Sequence, residues 1–187
     1  MIAGGVLNLV VPALIAIIAI VIFFLVHPAQ RFSFAPAMLV AFVCYLRTSY
    51  REMPQVERVL PLYLIALAIH FLHFTEEYVY GFHLRVTEIM AGMPPFAENV
   101  FVAFNMIAYC LFLLAGVGMY RGMKSAMIIV WFYVIAGVLG NSIWHLLLAF
   151  RVGGYFPGLY TSFAGWILAP MLLRRLWTGE SVAAHAG

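Results

Sequence analysis

The chain has 187 residues, of which 66% are hydrophobic and only 9% charged, with a net charge of +3. A soluble domain carries about 25% charged residues, so this composition excludes a water-soluble fold and points to an all-α polytopic membrane bundle forming one domain over 1–187. The basic residues stand singly at segment ends and Cys44 and Cys110 lie inside apolar runs, which excludes a nucleic-acid surface, a disulfide framework and a cysteine zinc cluster.

Residues 4–26 are uncharged and long enough to span a bilayer, and they lack both a basic start and a small-residue cleavage site. They read as an uncleaved first helix, with Pro12 a place for a bend. His27 follows in a short loop and reads as an interfacial residue. Residues 32–46 make a short second span, because about 15 residues at about 1.5 Å each cover about 22 Å of a hydrocarbon core about 30 Å thick. Six spans are therefore expected, with five as the alternative. Residues 47–58 form a polar loop, and the third span, 60–80, ends in His70-Phe-Leu-His73-Phe-Thr-Glu76-Glu77-Tyr78. The stretch 81–98, with Pro94-Pro95, reads either as a stiff lid over those polar residues or as a plain solvated loop. Residues 99–120 make the fourth span, 125–149 the fifth and 159–173 the sixth. The tail 178–187 reads as disordered. Seven of the ten basic residues fall on the N-terminal side, in the second and fourth loops and after the sixth span. The positive-inside rule then places both termini in the cytoplasm, with a bacterial plasma membrane as the expected location.

The costly feature of the third span is its polar end. On a helix, positions 70, 73, 76 and 77 fall within an arc of about 120°, so all four side chains can face one side. A carboxylate near the bilayer centre costs roughly 2.5 to 3.5 kcal/mol, so adjacent Glu76 and Glu77 must be protonated, paired or bound to a cation. Depth selects their partners. His73 lies about 10 Å below Tyr80 and Asn105 about 9 Å below Asn99, while Asn141 and His145, one turn apart, lie about 12 and 6 Å below Ala149. The expectation is one cavity bordered by His73, Glu76, Glu77, Asn105, Asn141 and His145. For Asn105 and Asn141 an interhelical hydrogen bond is an equally good account. His70 reads as a supporting partner or a packed neutral imidazole, and Glu98 as a carboxylate favoured by a helix N-terminus.

His73-Phe-Thr-Glu76-Glu77-Tyr78, Gly81-Phe82, Asn105, Asn141 to His145 and Tyr155-Phe-Pro157-Gly158-Leu159-Tyr-Thr161, in that order, resemble the HXXEE membrane-protein family over residues 60–175. That family is defined by sequence without an assigned activity, so the resemblance implies a shared site and names no reaction. Three readings of the site follow. In the first, His73, Glu77 and His145 hold one divalent metal ion, zinc or else iron, with His70 and Glu76 as further candidate ligands. Glu76, Glu77, Asn105 and Asn141 then carry hydrolytic or hydration-type chemistry on a small hydrophobic substrate from the surrounding membrane lipids, Glu76 shuttling the proton. In the second, no metal is used and the paired carboxylates serve as acid and base in isomerising or cyclising a sterol- or terpenoid-like lipid. The spacings His73-x-x-x-Glu77 and Asn141-x-x-Trp144 are loosely similar to the emopamil-binding sterol isomerase superfamily, which would give Trp144 a carbocation-stabilising role. In the third, the chain is a proton-coupled transporter or a lipid- or cation-binding protein, although no inverted repeat is evident. The metal enzyme is the leading expectation, and the oligomeric state is not legible.

Overall fold

In lipid an unpartnered backbone amide or carbonyl costs several kcal/mol, so an apolar chain resolves into helices that satisfy those groups internally. The computed structural model describes residues 2–26, 28–89, 94 and 96–178. Among them run α1 (Ile2–Val26), α2 (Pro28–Arg47), α3 (Val56–Val79), α4 (Phe82–Ile89), α5 (Glu98–Tyr120), α6 (Met127–Phe132), α7 (Asn141–Val152) and α8 (Leu159–Trp177). A 3₁₀ turn, Lys124–Ala126, leads into α6, and a π-helical segment, Tyr133–Gly140, joins α6 to α7 in a single rod. Four helical rods are long and apolar enough to cross a membrane: Gly5–Val26, Val56–Val79, Glu98–Tyr120 and Lys124–Val152. They are what an integral membrane protein requires, and α2 and α8 pack alongside them.

The helix inventory departs from six plain spans in three places. The second helix is longer than expected, 20 residues from Pro28 to Arg47, which at about 1.5 Å per residue is about 30 Å. Part of the expected loop 81–98 is helical, as α4. The fifth span is interrupted by the π segment, where Gly140 lacks the Cβ that would lie 3.0 Å from the Ile135 carbonyl oxygen five residues back. The expected disordered tail, apart from Thr178, and the Pro94-Pro95 lid, apart from Pro94, fall outside the described residues, as does His27.

The core lies between the rods, where Tyr45, Tyr63, Trp131 and Tyr133 are fully buried. Three of them satisfy their polar atoms: Tyr63 donates to the Phe112 carbonyl at 2.7 Å, Trp131 Nε1 to Ser49 Oγ at 3.2 Å, and Tyr45 to the Asn8 carbonyl, whereas the Tyr133 hydroxyl makes no hydrogen bond among the described residues. The outward faces are apolar instead, with Leu25, Ile107, Leu114, Phe150 and Ile167 among the most exposed side chains. Such a surface suits a hydrocarbon solvent. A second apolar cluster, Val86, Leu148, Ala149 and Phe156, forms where α4 meets α7 and the 153–158 turn. Gly153 at φ +70° ends α7, and Gly158 at φ +89° precedes α8. Both are left-handed positions that glycine adopts without a steric penalty. The turn between them folds back over the ends of α3 and α7, and the site lies there.

Candidate functional site

His73 and Glu77 are one turn apart on α3, and α7 brings His145 against them. His73 Nε2 lies 3.5 Å and His145 Nε2 3.1 Å from Glu77 Oε1. One ligand atom from each residue falls within 4.8 Å of the others, and among the described residues no other histidine, cysteine, aspartate or glutamate joins such a group. All three side chains are buried, His145 completely. Despite the 3.1 Å approach to Glu77, neither ring nitrogen of His145 is in hydrogen-bonding geometry with any partner. Nitrogen and oxygen ligands about 2.0 to 2.2 Å from a tetrahedral ion lie about 3.3 to 3.6 Å from one another; the 3.5 Å separation falls in that range, the 3.1 Å one just below it, and all three atoms lie within 4.8 Å. The donor set, two imidazoles and a carboxylate, is a normal one for zinc or iron.

His73 and Glu76 are held by hydrogen bonds from α7, α8 and the turn before it. His73 Nδ1 is 2.8 Å from Thr161 Oγ1 on α8, and Asn141 Nδ2 is 2.7 Å from His73 Nε2. Glu76 faces away from the histidines. Its Oε1 accepts from the Tyr155 hydroxyl at 2.9 Å and the Tyr160 backbone N–H at 3.1 Å. Its Oε2 accepts from the Thr161 backbone N–H at 2.9 Å and the Thr161 hydroxyl at 2.6 Å. A carboxylate offers about four lone-pair sites, and all four are used. Glu76 is thus neither placed as a metal ligand nor free to shuttle protons, contrary to the expectation from sequence; it caps the first turn of α8 from across the bundle. Burial, and then its hydrogen bond to Glu76, raise the Tyr155 hydroxyl above its usual range and keep it a donor.

His70 does not reach the ligand group. Its ring packs edge-on or tilted against Tyr109, Tyr133 and His73, with centroids 5.4, 5.6 and 5.5 Å away, and Tyr109 donates to its backbone carbonyl. Asn105, expected at the shared cavity, turns its amide onto the Phe101 carbonyl of its own helix at 2.9 Å. Glu98 accepts from the Tyr78 hydroxyl at 2.7 Å. Trp144 packs against the Phe156 cluster and does not line the cavity beside His73, so the geometry gives it no carbocation to face. That cavity, about 20 Å³, is bordered by His70, His73, Asn141, Ser142 and Thr161 among others; of the six residues expected around one cavity only His73 and Asn141 line it, Glu77 and His145 lying behind His73. It has room for one water-sized group.

Sequence reasoning assigned no role to Thr161, Tyr155 or Gly158. A Cβ on Gly158 would sit 2.4 Å from His145 Cε1 and 2.8 Å from His73 Cε1, so the turn passes directly over both rings. The signal was present in the run Tyr155 to Thr161, which shared in the resemblance, but hydroxyls and glycines in a loop announce no chemistry of their own.

Compared with known families, residues 64–173 match the proteins of unknown function with the HXXEE motif, over more than half of the chain. The chain belongs to this family. Its motif is His73-Phe-Thr-Glu76-Glu77, and the HXXEE segment contains every group of the ligand cluster together with Thr161 and Gly158. Neither the curated proteins nor the solved structures include a match, so the likeness in spacing to the sterol isomerases gains no support.

Proposed function

We propose that His73, Glu77 and His145 hold one divalent ion, zinc or else iron, in a membrane-embedded enzyme that hydrolyses or hydrates a small hydrophobic molecule drawn from the lipid. The observation that carries this reading is His145: a fully buried imidazole, 3.1 Å from a carboxylate yet with neither nitrogen hydrogen-bonded. A buried polar group without a hydrogen bond costs about 1 to 3 kcal/mol, and a cation shared with Glu77 would remove that cost for His145. Bound there, the ion supplies Lewis acidity and makes water nucleophilic near neutral pH. Glu77 balances its charge in the low dielectric. The Asn141 amide, which would give up its bond to His73 Nε2 when that nitrogen takes the ion, borders the adjacent cavity and is the polar group best placed to orient a reacting carbonyl or hydroxyl. The cavity beside His73 takes the reacting end of the substrate. The charge asymmetry supports an orientation with both termini in the cytoplasm, which would put the site in the outer leaflet of the membrane, expected to be a bacterial plasma membrane.

Elemental analysis of the full chain, purified and exchanged into a metal-replete buffer, tests the reading. One ion per chain in the wild type and its loss in Glu77→Gln are expected, with a chelator lowering the thermal stability of the wild type only. No stoichiometric ion, and a Glu77→Gln variant as stable as the wild type with or without chelator, would overturn it. Metal-free acid–base chemistry on a lipid, using the direct contacts of Glu77 with His73 and His145, is then the better account.

A further inference from the structure

We infer that Glu76 and Thr161 are positioning residues that lock His73 in its Nδ1–H tautomer and so keep the Nε2 lone pair turned toward Glu77 and Asn141. The Thr161 hydroxyl owns one proton. Its oxygen lies 2.6 Å from Glu76 Oε2 but 3.4 Å from the Gly158 carbonyl, so the proton goes to the carboxylate. Glu76 has nothing to donate in return, since its oxygens already accept two backbone N–H groups and the Tyr155 hydroxyl. Toward His73, 2.8 Å away, Thr161 can therefore only accept, and Nδ1 must carry the hydrogen. The other side of the ring agrees. Asn141 presents an amide N–H at 2.7 Å to Nε2, which requires a lone pair there.

The chain Glu76, Thr161, His73 gives Glu76 a purpose that its position in the motif conceals. Gly158, the residue before α8, has no side chain with which to cap the helix, and the amides of Tyr160 and Thr161 would be left unpartnered. Glu76 satisfies both from α3 and, through Thr161, fixes the tautomer of the histidine one turn before it. A ligand histidine is usually oriented in this way, by a hydrogen bond from its second nitrogen. The tautomer is set by the hydrogen bonds alone; its consequence for affinity rests on the metal reading proposed above.

The test is nitrogen-15 NMR of histidine-labelled full-length protein in lipid nanodiscs, chelator-treated, with the His73 signals assigned by their loss in His73→Asn. The wild type is expected to show a protonated Nδ1 and a bare Nε2. Thr161→Val should abolish that preference and Thr161→Ser restore it, and zinc titration should find Thr161→Val weaker by about 10- to 100-fold. A wild-type His73 protonated on Nε2, or a Thr161→Val variant that keeps the Nδ1–H tautomer, would overturn the inference; if Thr161→Val does not fold, the wild-type spectrum decides it. Zinc that binds to neither protein, with the tautomer as expected, would refute the metal reading and leave the relay standing.

Discussion

Glu76 and Glu77 are about 100° apart around α3, so one helix turn can serve two partners at once. Glu77 faces His145 on α7, whereas Glu76 faces the N-terminus of α8. Read as a sequence, two adjacent carboxylates in lipid suggest groups that share a proton or an ion, because their cost is visible and their directions are not. The identities of His73, Glu77 and His145 were legible through the i, i+4 spacing and matching depth. The division of labour between the two glutamates was not, since it depends on a turn whose path only the fold supplies. Gly158 marks that path. In Gly158→Ala the new methyl would meet His145 Cε1 at 2.4 Å and His145 Nδ1 at 2.7 Å while the backbone stays at φ +89°. Left-handed strain and overpacking each cost about 1 to 3 kcal/mol, so a destabilisation of at least about 2 kcal/mol is expected in thermal or denaturant unfolding in detergent. A wild-type unfolding midpoint would show that the turn does not press on the histidines.

At the scale of elements, the four spanning rods were readable as long apolar runs and α8 as a shorter one, whereas α2 was read as shorter than it is. Two features were not readable. The helix α4 is eight residues of mixed polarity beside a proline pair, where turn signals outweigh a short period. The π segment lies in a rod that is apolar on nearly every side, so a shift of register leaves no trace in the hydrophobic pattern. Single-turn π distortions cluster at functional sites, and this longer one ends immediately before Asn141. Its seating depends on α8. Ser142 Oγ donates within hydrogen-bonding distance of both the Val138 and Ser162 carbonyls, at 2.7 and 2.8 Å, and a Cβ on Gly165 would fall 2.0 Å from that oxygen. Gly165→Ala is expected to lose about 1 to 3 kcal/mol and to weaken metal binding by separating α8 from the rod. The Ser142 oxygen is the nearest obstacle and the Val138 carbonyl, 2.7 Å from the same Cβ, the next, so the double variant Gly165→Ala with Ser142→Ala should recover part of the loss and be more stable than the sum of the single losses predicts. Strict additivity in a double-mutant cycle would argue against this close contact.

For the whole molecule, composition alone established a membrane class, since 9% charged residues cannot clothe a soluble surface of this size. Which end faces the cytoplasm depends on where the few charges fall once the helices are in place. Arg47, Arg51, Arg58, Arg121, Lys124, Arg174 and Arg175 gather at the end that holds the α2–α3 and α5–α6 connections and the end of α8. Some are tied down there: Lys124 donates to the Tyr50 and Arg51 carbonyls, and Arg175 to the Arg58 carbonyl. The opposite end has only Arg31, Arg85 and Arg151, and it carries α4, the 153–158 turn and the histidine cluster. By the positive-inside rule, seven basic residues against three lead to the expectation that the richer end is cytoplasmic and that the site faces the outer leaflet. Two exposed positions report on this, Met123 at the richer end and Leu84 on α4 at the other. In a background with Cys44 and Cys110 replaced by serine, a membrane-impermeant maleimide applied to intact cells should label Leu84→Cys and spare Met123→Cys until the cells are opened. The reverse pattern would turn the molecule over and move the site to the cytoplasmic leaflet. The ligand geometry would be untouched, but the substrate would then have to come from the inner lipid layer, and the seven cationic residues would need a reason other than topology to lie together.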